Sequence, residues 1–212
     1  MKWIVSSTAT TLSFARISVG QPALAQRLAG AASIAGGLSL VRCFVIASVV
    51  APVLMKPLAV ALAPGLCAFL AASLLLSRNG KNAGARSELE LSNPFELKSV
   101  LRFGALLGVI SFLAKVLVKV LGPASIVFIA LVSGIPDLDA ITLSTAHLAG
   151  NAVPVHTAAI AVLTATVSNL VTKVVLAYGS GTRTYSGLLA LVTLVVIVVG
   201  SACFWWYSAF FQ

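Results

Sequence analysis

The sequence predicts an all-α membrane protein: a polytopic transmembrane helical bundle of about seven segments, built from an internal duplication and containing discontinuous helices. Of its 212 residues, 59% are hydrophobic and only 9% are charged, whereas soluble globular domains have roughly 25% charged residues. Its mean hydropathy is +1.07. Apolar stretches of about 20 residues, the length that crosses a bilayer as a helix, recur along the chain. One polar motif occurs twice inside these stretches.

The apolar stretches define the segments that we expect to cross the membrane: residues 1–17, 24–50, 52–76, 97–121, 123–149, 155–178 and 185–211. Each is assigned as a helix because a helix satisfies its own backbone polar groups within lipid. The runs also lack the two-residue alternation of a barrel strand. Pro57 and Pro64 lie inside the third segment, which predicts a kink or a partly re-entrant path there.

The duplication rests on a short motif with a fixed spacing. Residues 135–146 repeat residues 4–15 without a gap, at an offset of 131 positions, and six of the twelve pairs are identical. The same offset pairs Arg42 with Lys173, so a basic residue recurs inside an apolar segment. A polar motif that occurs twice in hydrophobic segments is typical of a duplicated membrane fold with a site between its halves.

The motif copies divide the chain into a first, incomplete repeat at 1–76, a polar linker loop at 77–96 and a second repeat at 97–212. The first copy lacks the leading helix and a half that precedes the second copy. We therefore expect either a longer parent protein or a partner, which would be a second copy of the chain or a separate membrane chain. One crossing per segment would make the repeats parallel, whereas a re-entrant third segment would make them inverted.

The charged residues and cysteines exclude several other classes of protein. The net charge is +9, but most basic residues fall in loops, where they orient a membrane protein. The sequence leaves no room for a basic, aromatic-lined groove, so no nucleic acid is expected as a partner. The three cysteines are widely spaced in apolar segments, which favours packing over a disulfide framework or a zinc site.

Three motifs resemble a known family. They are S-S-T-A-T-T-L-S-F-A-R at 6–16, N-P-F-E-L at 93–97 and D-L-D-A-I-T-L-S at 137–144. They are similar to the uncharacterised polytopic membrane domain found fused behind MgtC/SapB-type domains, a family associated with transport of magnesium or other ions. The resemblance implies an ion transporter in a bacterial-type inner or plasma membrane. The MgtC-like part has no counterpart in this sequence, so its activity is not carried over.

Two aspartates interrupt the apolar segment 123–149. Asp137 and Asp139 follow Gly134 and Pro136, which predicts a discontinuous helix whose freed backbone groups line a cavity. A charge at mid-depth costs at least about 2.5–3.5 kcal/mol, so each carboxylate needs a partner. Oxygen ligands suit hard cations, so the two aspartates are the candidate ligands of Mg²⁺ or a monovalent cation. No organic cofactor is expected.

Hydroxyl and basic side chains complete the predicted ion pathway. The hydroxyls are Thr142 and Ser144 in the second repeat, with Ser6, Ser7, Thr8 and Thr11 in the first. The candidate counter-charges are Lys173 and Arg42, and Asn169 shares a helix face with Lys173 because the two are four residues apart. Each assignment has a structural alternative. Asp137 could cap the following half-helix, the hydroxyls could pack helix interfaces, and Lys173 could reach the headgroups.

These features lead to a function hypothesis with one alternative. We expect an integral membrane protein that transports or conducts a small ion, Mg²⁺ or another cation, through a mid-membrane site of aspartate and hydroxyl side chains. The alternative is a non-transporting assembly or regulatory subunit whose polar motifs hold helices together. An enzyme is not expected, since no further acidic cluster or activated nucleophile accompanies the aspartates.

Overall fold

A computed structural model describes residues 7–79 and 125–211, with the isolated residues 112, 116, 119, 120 and 122. Over this part the chain forms helices and no strand, which confirms the predicted fold class. The helices are α1 (Ser7–Gly20), α2 (Ala25–Val50), α3 (Met55–Asn79), α4 (Ser125–Ser133), α5 (Leu138–Leu148), α6 (Val155–Ser180) and α7 (Arg183–Phe211). Short 3₁₀ turns at Pro22–Leu24 and Pro52–Leu54 lead into α2 and α3. Ser6, most of the linker loop and the predicted segment 97–121, apart from the isolated residues just named, lie outside the described residues.

Four helical stretches in the described part are long and apolar enough to cross a membrane: Pro22–Val50, Pro52–Ser77, Val155–Ser180 and Arg183–Phe210. They agree within a few residues with four of the predicted segments. The protein is therefore an integral membrane protein. The third segment is one continuous helix, α3, with Pro64 inside it, so the predicted re-entrant path is wrong for this segment.

The predicted segment 123–149 is a broken helix. It consists of α4 and α5, separated by a turn at residues 134–137, as the Gly134 and Pro136 pattern predicted. Gly134 lies against the backbone of α6, where a Cβ would come within 2.5 Å of the Ala165 carbonyl oxygen. Any larger residue would force the turn away from α6, so glycine is required for this close approach.

The described helices follow the offset of 131 positions. That offset carries residues 25–50 onto 156–181 and residues 55–79 onto 186–210, which coincide within a few residues with α6 and α7. The packing is reciprocal as well. The α1 helix packs against α6 while its counterpart α5 packs against α2, and the counterparts α3 and α7 pack against each other. The two halves are therefore interlocked rather than side by side.

Contacts at one end of the bundle show that α2 and α6 run in opposite directions. Ser18, near the end of α1, accepts hydrogen bonds from the Thr182 N–H at 3.0 Å and from the Thr182 hydroxyl at 3.2 Å. Because α1 leads directly into α2 and Thr182 directly follows α6, the start of α2 lies beside the end of α6. Equivalent helices of the two repeats are thus antiparallel.

The third helices of the two repeats are antiparallel too. A Cβ at Gly65 would lie 3.1 Å from Val196 Cγ1, and a Cβ at Gly200 would lie 2.9 Å from the Ala61 carbonyl oxygen. From Ala61 to Gly65 along α3, the residue in contact on α7 changes from Gly200 back to Val196, so the two helices run in opposite directions. Val196 is the offset counterpart of Gly65, so the pseudo-two-fold axis passes between these residues. The repeats are inverted, and the parallel arrangement expected from one crossing per segment is not the one that these helices adopt.

The inverted arrangement makes a testable prediction about sidedness. Gln21 lies before α2 and Asn151 lies before α6, both exposed, so single cysteines at these positions should face opposite sides of the membrane. We expect a membrane-impermeant maleimide added outside sealed vesicles to label only one of Gln21→Cys and Asn151→Cys in a background without native cysteines. Val53→Cys, at the other end of α2, is the control and should behave like Asn151→Cys. Labelling of Gln21→Cys and Asn151→Cys from the same side would contradict the inverted fold.

Candidate functional site

The candidate site lies where one face of α2 meets helices of both halves. Arg42 and Cys43 follow Ser39 by three and four residues, so both lie near Ser39 on this face. The three residues contact side chains of α1, α5 and α6. We define the charged network as Ser7, Ser39, Arg42, Asp139 and Lys173.

Arg42 and Asp139 form a bidentate ion pair between the two halves. Arg42 Nη2 lies 2.8 Å from Asp139 Oδ2, and Arg42 Nε donates to Asp139 Oδ1 at 3.1 Å. Two parallel N–H···O contacts are the strongest geometry available to an arginine and a carboxylate. The side chains are 39% and 16% exposed, respectively. The predicted counter-charge Arg42 is therefore the direct partner of the predicted ion ligand Asp139.

Asp137 has a different role from Asp139. It is the N-cap of α5, with extended backbone angles (φ −156°, ψ 118°), and its Oδ1 accepts a hydrogen bond from the Asp139 N–H at 2.8 Å. An aspartate at this position satisfies a free N–H and interacts favourably with the positive end of the helix. Asp137 thus caps α5, which is the structural alternative to an ion ligand that the sequence allowed.

Lys173 ends inside the bundle rather than at the headgroups. Its side chain is only 5% exposed, and its Nζ donates to Ser39 Oγ at 3.4 Å. Ser39 Oγ in turn lies 2.8 Å from Ser7 Oγ, so a chain of polar contacts connects α6, α2 and α1. Within the described residues, no carboxylate lies within 4 Å of the Lys173 ammonium. The structural alternative, in which Lys173 reaches the headgroups, is therefore not the one observed.

Asn169 and Ser168 support the break between α4 and α5. Asn169 Nδ2 donates to the Gly134 carbonyl at 3.1 Å, and Ser168 Oγ donates to the Leu131 carbonyl at 2.7 Å. A break in a helix leaves such carbonyls without backbone partners, and lipid cannot supply any. Asn169, predicted beside the counter-charges, is therefore a positioning residue for the broken helix.

The remaining predicted hydroxyls are distributed between the two halves. Thr142 is buried, donates to the Leu138 carbonyl at 2.7 Å and lies 3.4 Å from Cys43 Sγ. Thr11 is buried and donates to the Ser7 carbonyl at 2.9 Å. The other two described members are Thr8, half-buried in α1, and Ser144, buried in α5.

Sequence reasoning missed Ser39, which joins Lys173 to Ser7. Its position three residues before Arg42 was the available signal, since both side chains must then project from one helix face. It also treated Cys43 only as a packing residue, whereas the Cys43 thiol contacts a threonine of the other half. The described residues contain no group of three His, Cys, Asp or Glu side chains that could hold a metal ion. The proposed ligation of a metal by the two aspartates stays a prediction.

Comparison with known proteins places this site within a family. Residues 4–181 match the family model of a domain of unknown function, DUF4010. The chain belongs to the DUF4010 family. All five residues of the charged network lie within the matched range. The comparisons support the resemblance to an uncharacterised family, but they contain nothing that supports a fusion to an MgtC/SapB-type domain.

One relative is an uncharacterised protein of Aquifex aeolicus (strain VF5). It is 33% identical to this protein over 99 residues, which are 46% of this chain and 43% of the relative. The chain thus matches less than half of that relative's length. No solved structure matches the chain.

The ion pair predicts thermodynamic coupling between the two halves. Arg42→Gln and Asp139→Asn should each lower the thermal stability of the purified protein, because each leaves one charge inside the bundle without its partner. The double variant should lose less stability than the sum of the losses in the two single variants. We expect a coupling energy of about 1 kcal/mol in the double-mutant cycle. This value is modest because Arg42 is partly exposed. Additive losses would show that the two side chains do not interact.

Proposed function

We propose that this protein moves a small ion across the membrane through the interface between its inverted halves. The observation that carries the proposal is the Arg42–Asp139 ion pair, which joins the two halves beside the buried Lys173. Ionisable residues inside membrane segments are costly, and they are found mostly where an ion or proton passes. Inverted repeats with a broken helix at their interface are a recurrent architecture of secondary transporters.

The two basic residues suggest how the interface would change state. Arg42 and Lys173 occupy equivalent positions in the two repeats, and Lys173 contacts Ser39, three residues before Arg42 on the same face of α2. Asp139 is thus one carboxylate for two basic residues at equivalent positions. Asp139 would break its ion pair with Arg42 and form one with Lys173 as one half of the protein rocks against the other. Such a two-state element is what alternating access requires.

We further propose that the protein resides in a bacterial-type inner or plasma membrane as a homo-oligomer or together with a separate membrane chain. In the second half, α4 covers the face of α6 that contains Ala165 and Asn169, both buried. The corresponding residues of α2 are Ile34 and Leu38, which are 53% and 60% exposed. Measurement of the particle mass in lipid nanodiscs tests this proposal. We expect two or more chains per particle, and a single chain alone would contradict the proposal.

A specific observation also favours the alternative function, a non-transporting assembly subunit. Two polar side chains hold helices together: Asn169 binds the turn at Gly134, and the Tyr185 hydroxyl donates to the Thr11 carbonyl at 3.0 Å. Such contacts are expected at any interface between membrane helices. Flux measurement separates the two functions.

The transport proposal predicts that ion flux depends on Asp139. We expect purified protein in liposomes to move at least one ion among Mg²⁺, Na⁺, K⁺ and Cl⁻, measured with ion-sensitive dyes. Asp139→Asn should slow this flux about tenfold or more, equivalent to about 1.4 kcal/mol of barrier. Ser7→Ala should have a milder effect because it leaves every charge in place.

Lys56→Met is the matched control, since Lys56 is exposed at the start of α3 and is not in the charged network. It should transport like the wild type. If no ion moves, or if Asp139→Asn transports normally while folded, the transport proposal is wrong and the assembly function replaces it.

A further inference from the structure

We infer that the ion held by the charged network is a small anion, bound by Lys173 together with Arg42. This inference rests on the proposed transport function and specifies its substrate class. It departs from the cation expected from the sequence, because Asp139 is paired with Arg42 and Asp137 caps α5.

The Lys173 ammonium has spare donors in a buried position. An ammonium group has three N–H donors, and the contact to Ser39 Oγ at 3.4 Å is a long one. Among the described residues the other two donors have no partner. A buried cation in this condition lacks acceptors for those donors and, among the described residues, a negative charge within 4 Å to offset its desolvation. A bound anion would supply both.

Arg42 also has donors that no described residue accepts, while both Asp139 oxygens are in contact with Arg42. A guanidinium has five N–H donors, and Asp139 takes two of them. Both Asp139 oxygens face Arg42, and Asp137 Oδ1 accepts from the backbone of α5. Lys173 and Arg42 therefore both have a surplus of donors without a partner among the described residues. A ligand that accepts hydrogen bonds fits this surplus, and a metal cation does not.

The net charge of the network also favours an anion. Arg42 and Lys173 are basic and Asp139 is acidic, so these three side chains have a net charge of +1 when ionised. Including Asp137 makes the sum zero, but its charge faces the N-terminus of α5, whose dipole is equivalent to roughly half a positive charge. A Mg²⁺ ion bound by Asp139 would lie beside two basic groups and would have to displace Arg42 from the carboxylate.

An anion would also provide a reason for the ion pair to open. Bound between Lys173 and Arg42, it would compete with Asp139 for the guanidinium and weaken the link between the two halves. The Ser39 and Ser7 hydroxyls, already in line with Lys173, could donate to the same ligand. Binding would thus favour the state in which the halves separate, as a ligand must if it is to shift a two-state equilibrium.

Chloride flux tests the inference. Liposomes that contain the purified full chain and a chloride-sensitive dye are exposed to external chloride, with valinomycin and potassium carrying the compensating charge. We expect chloride entry well above that of protein-free liposomes, and external nitrate should compete with it. Under the same conditions Mg²⁺ and Na⁺ should not enter.

Variants of Lys173 identify the binding group. Lys173→Met should slow chloride entry about tenfold or more, whereas Lys173→Arg, which keeps the charge and the donors, should retain a substantial part of it. Lys56→Met should match the wild type. Full chloride entry in folded Lys173→Met would overturn the assignment of Lys173.

The outcomes separate the two proposals. Entry of Mg²⁺ or Na⁺ without chloride would overturn the anion inference and leave the transport proposal standing, whereas absence of any ion flux would overturn both. If Lys173→Met does not fold, the reversal potential of the wild type is measured with different sodium chloride concentrations on the two sides of the membrane. That potential then shows which ion passes through the protein. A potential at the chloride equilibrium value supports the inference, and one at the sodium value contradicts it.

Discussion

Lipid offers no hydrogen-bond partners, and the polar contacts of this protein follow from that constraint. The turn between α4 and α5 frees two carbonyls, and Asn169 and Ser168 of α6 bind them. Asp137 satisfies an N–H at the start of α5. Arg42 pairs with Asp139 across the interface between the halves. Most of the sequence is apolar, so these few contacts decide which helix faces meet.

The inverted repeats explain why a symmetric scaffold contains a single, asymmetric site. Reciprocal packing places α1 on α6 and α5 on α2, so both motif copies face the same interface. The copies differ in charge, because Thr8 in the first corresponds to Asp139 in the second. The carboxylate therefore meets the basic residue of α2, whereas the basic residue of α6 meets hydroxyls. Lys173 is left with spare donors as a consequence of this divergence.

The broken helix and the site depend on each other physically. Gly134 allows the turn to approach α6 closely, and the contact from Asn169 holds it there. The start of α5 is thereby positioned so that Asp139 faces Arg42. A residue such as Asn169 thus influences the ion pair without touching it. The sequence placed Asn169 with the counter-charges because it lies four residues before Lys173, and its partner, the Gly134 carbonyl, was not predicted.

Much of the fold was determined by the sequence alone. Apolar length sets which stretches can cross a bilayer, and the offset of 131 positions in the sequence identifies the equivalent helices. Glycine and proline locate the break in segment 123–149. The tertiary structure decided the direction of the repeats and the partners of Asp137, Asp139 and Lys173. Periodicity specifies which face of its own helix a side chain occupies, but the neighbour of that face depends on how separate helices pack in three dimensions.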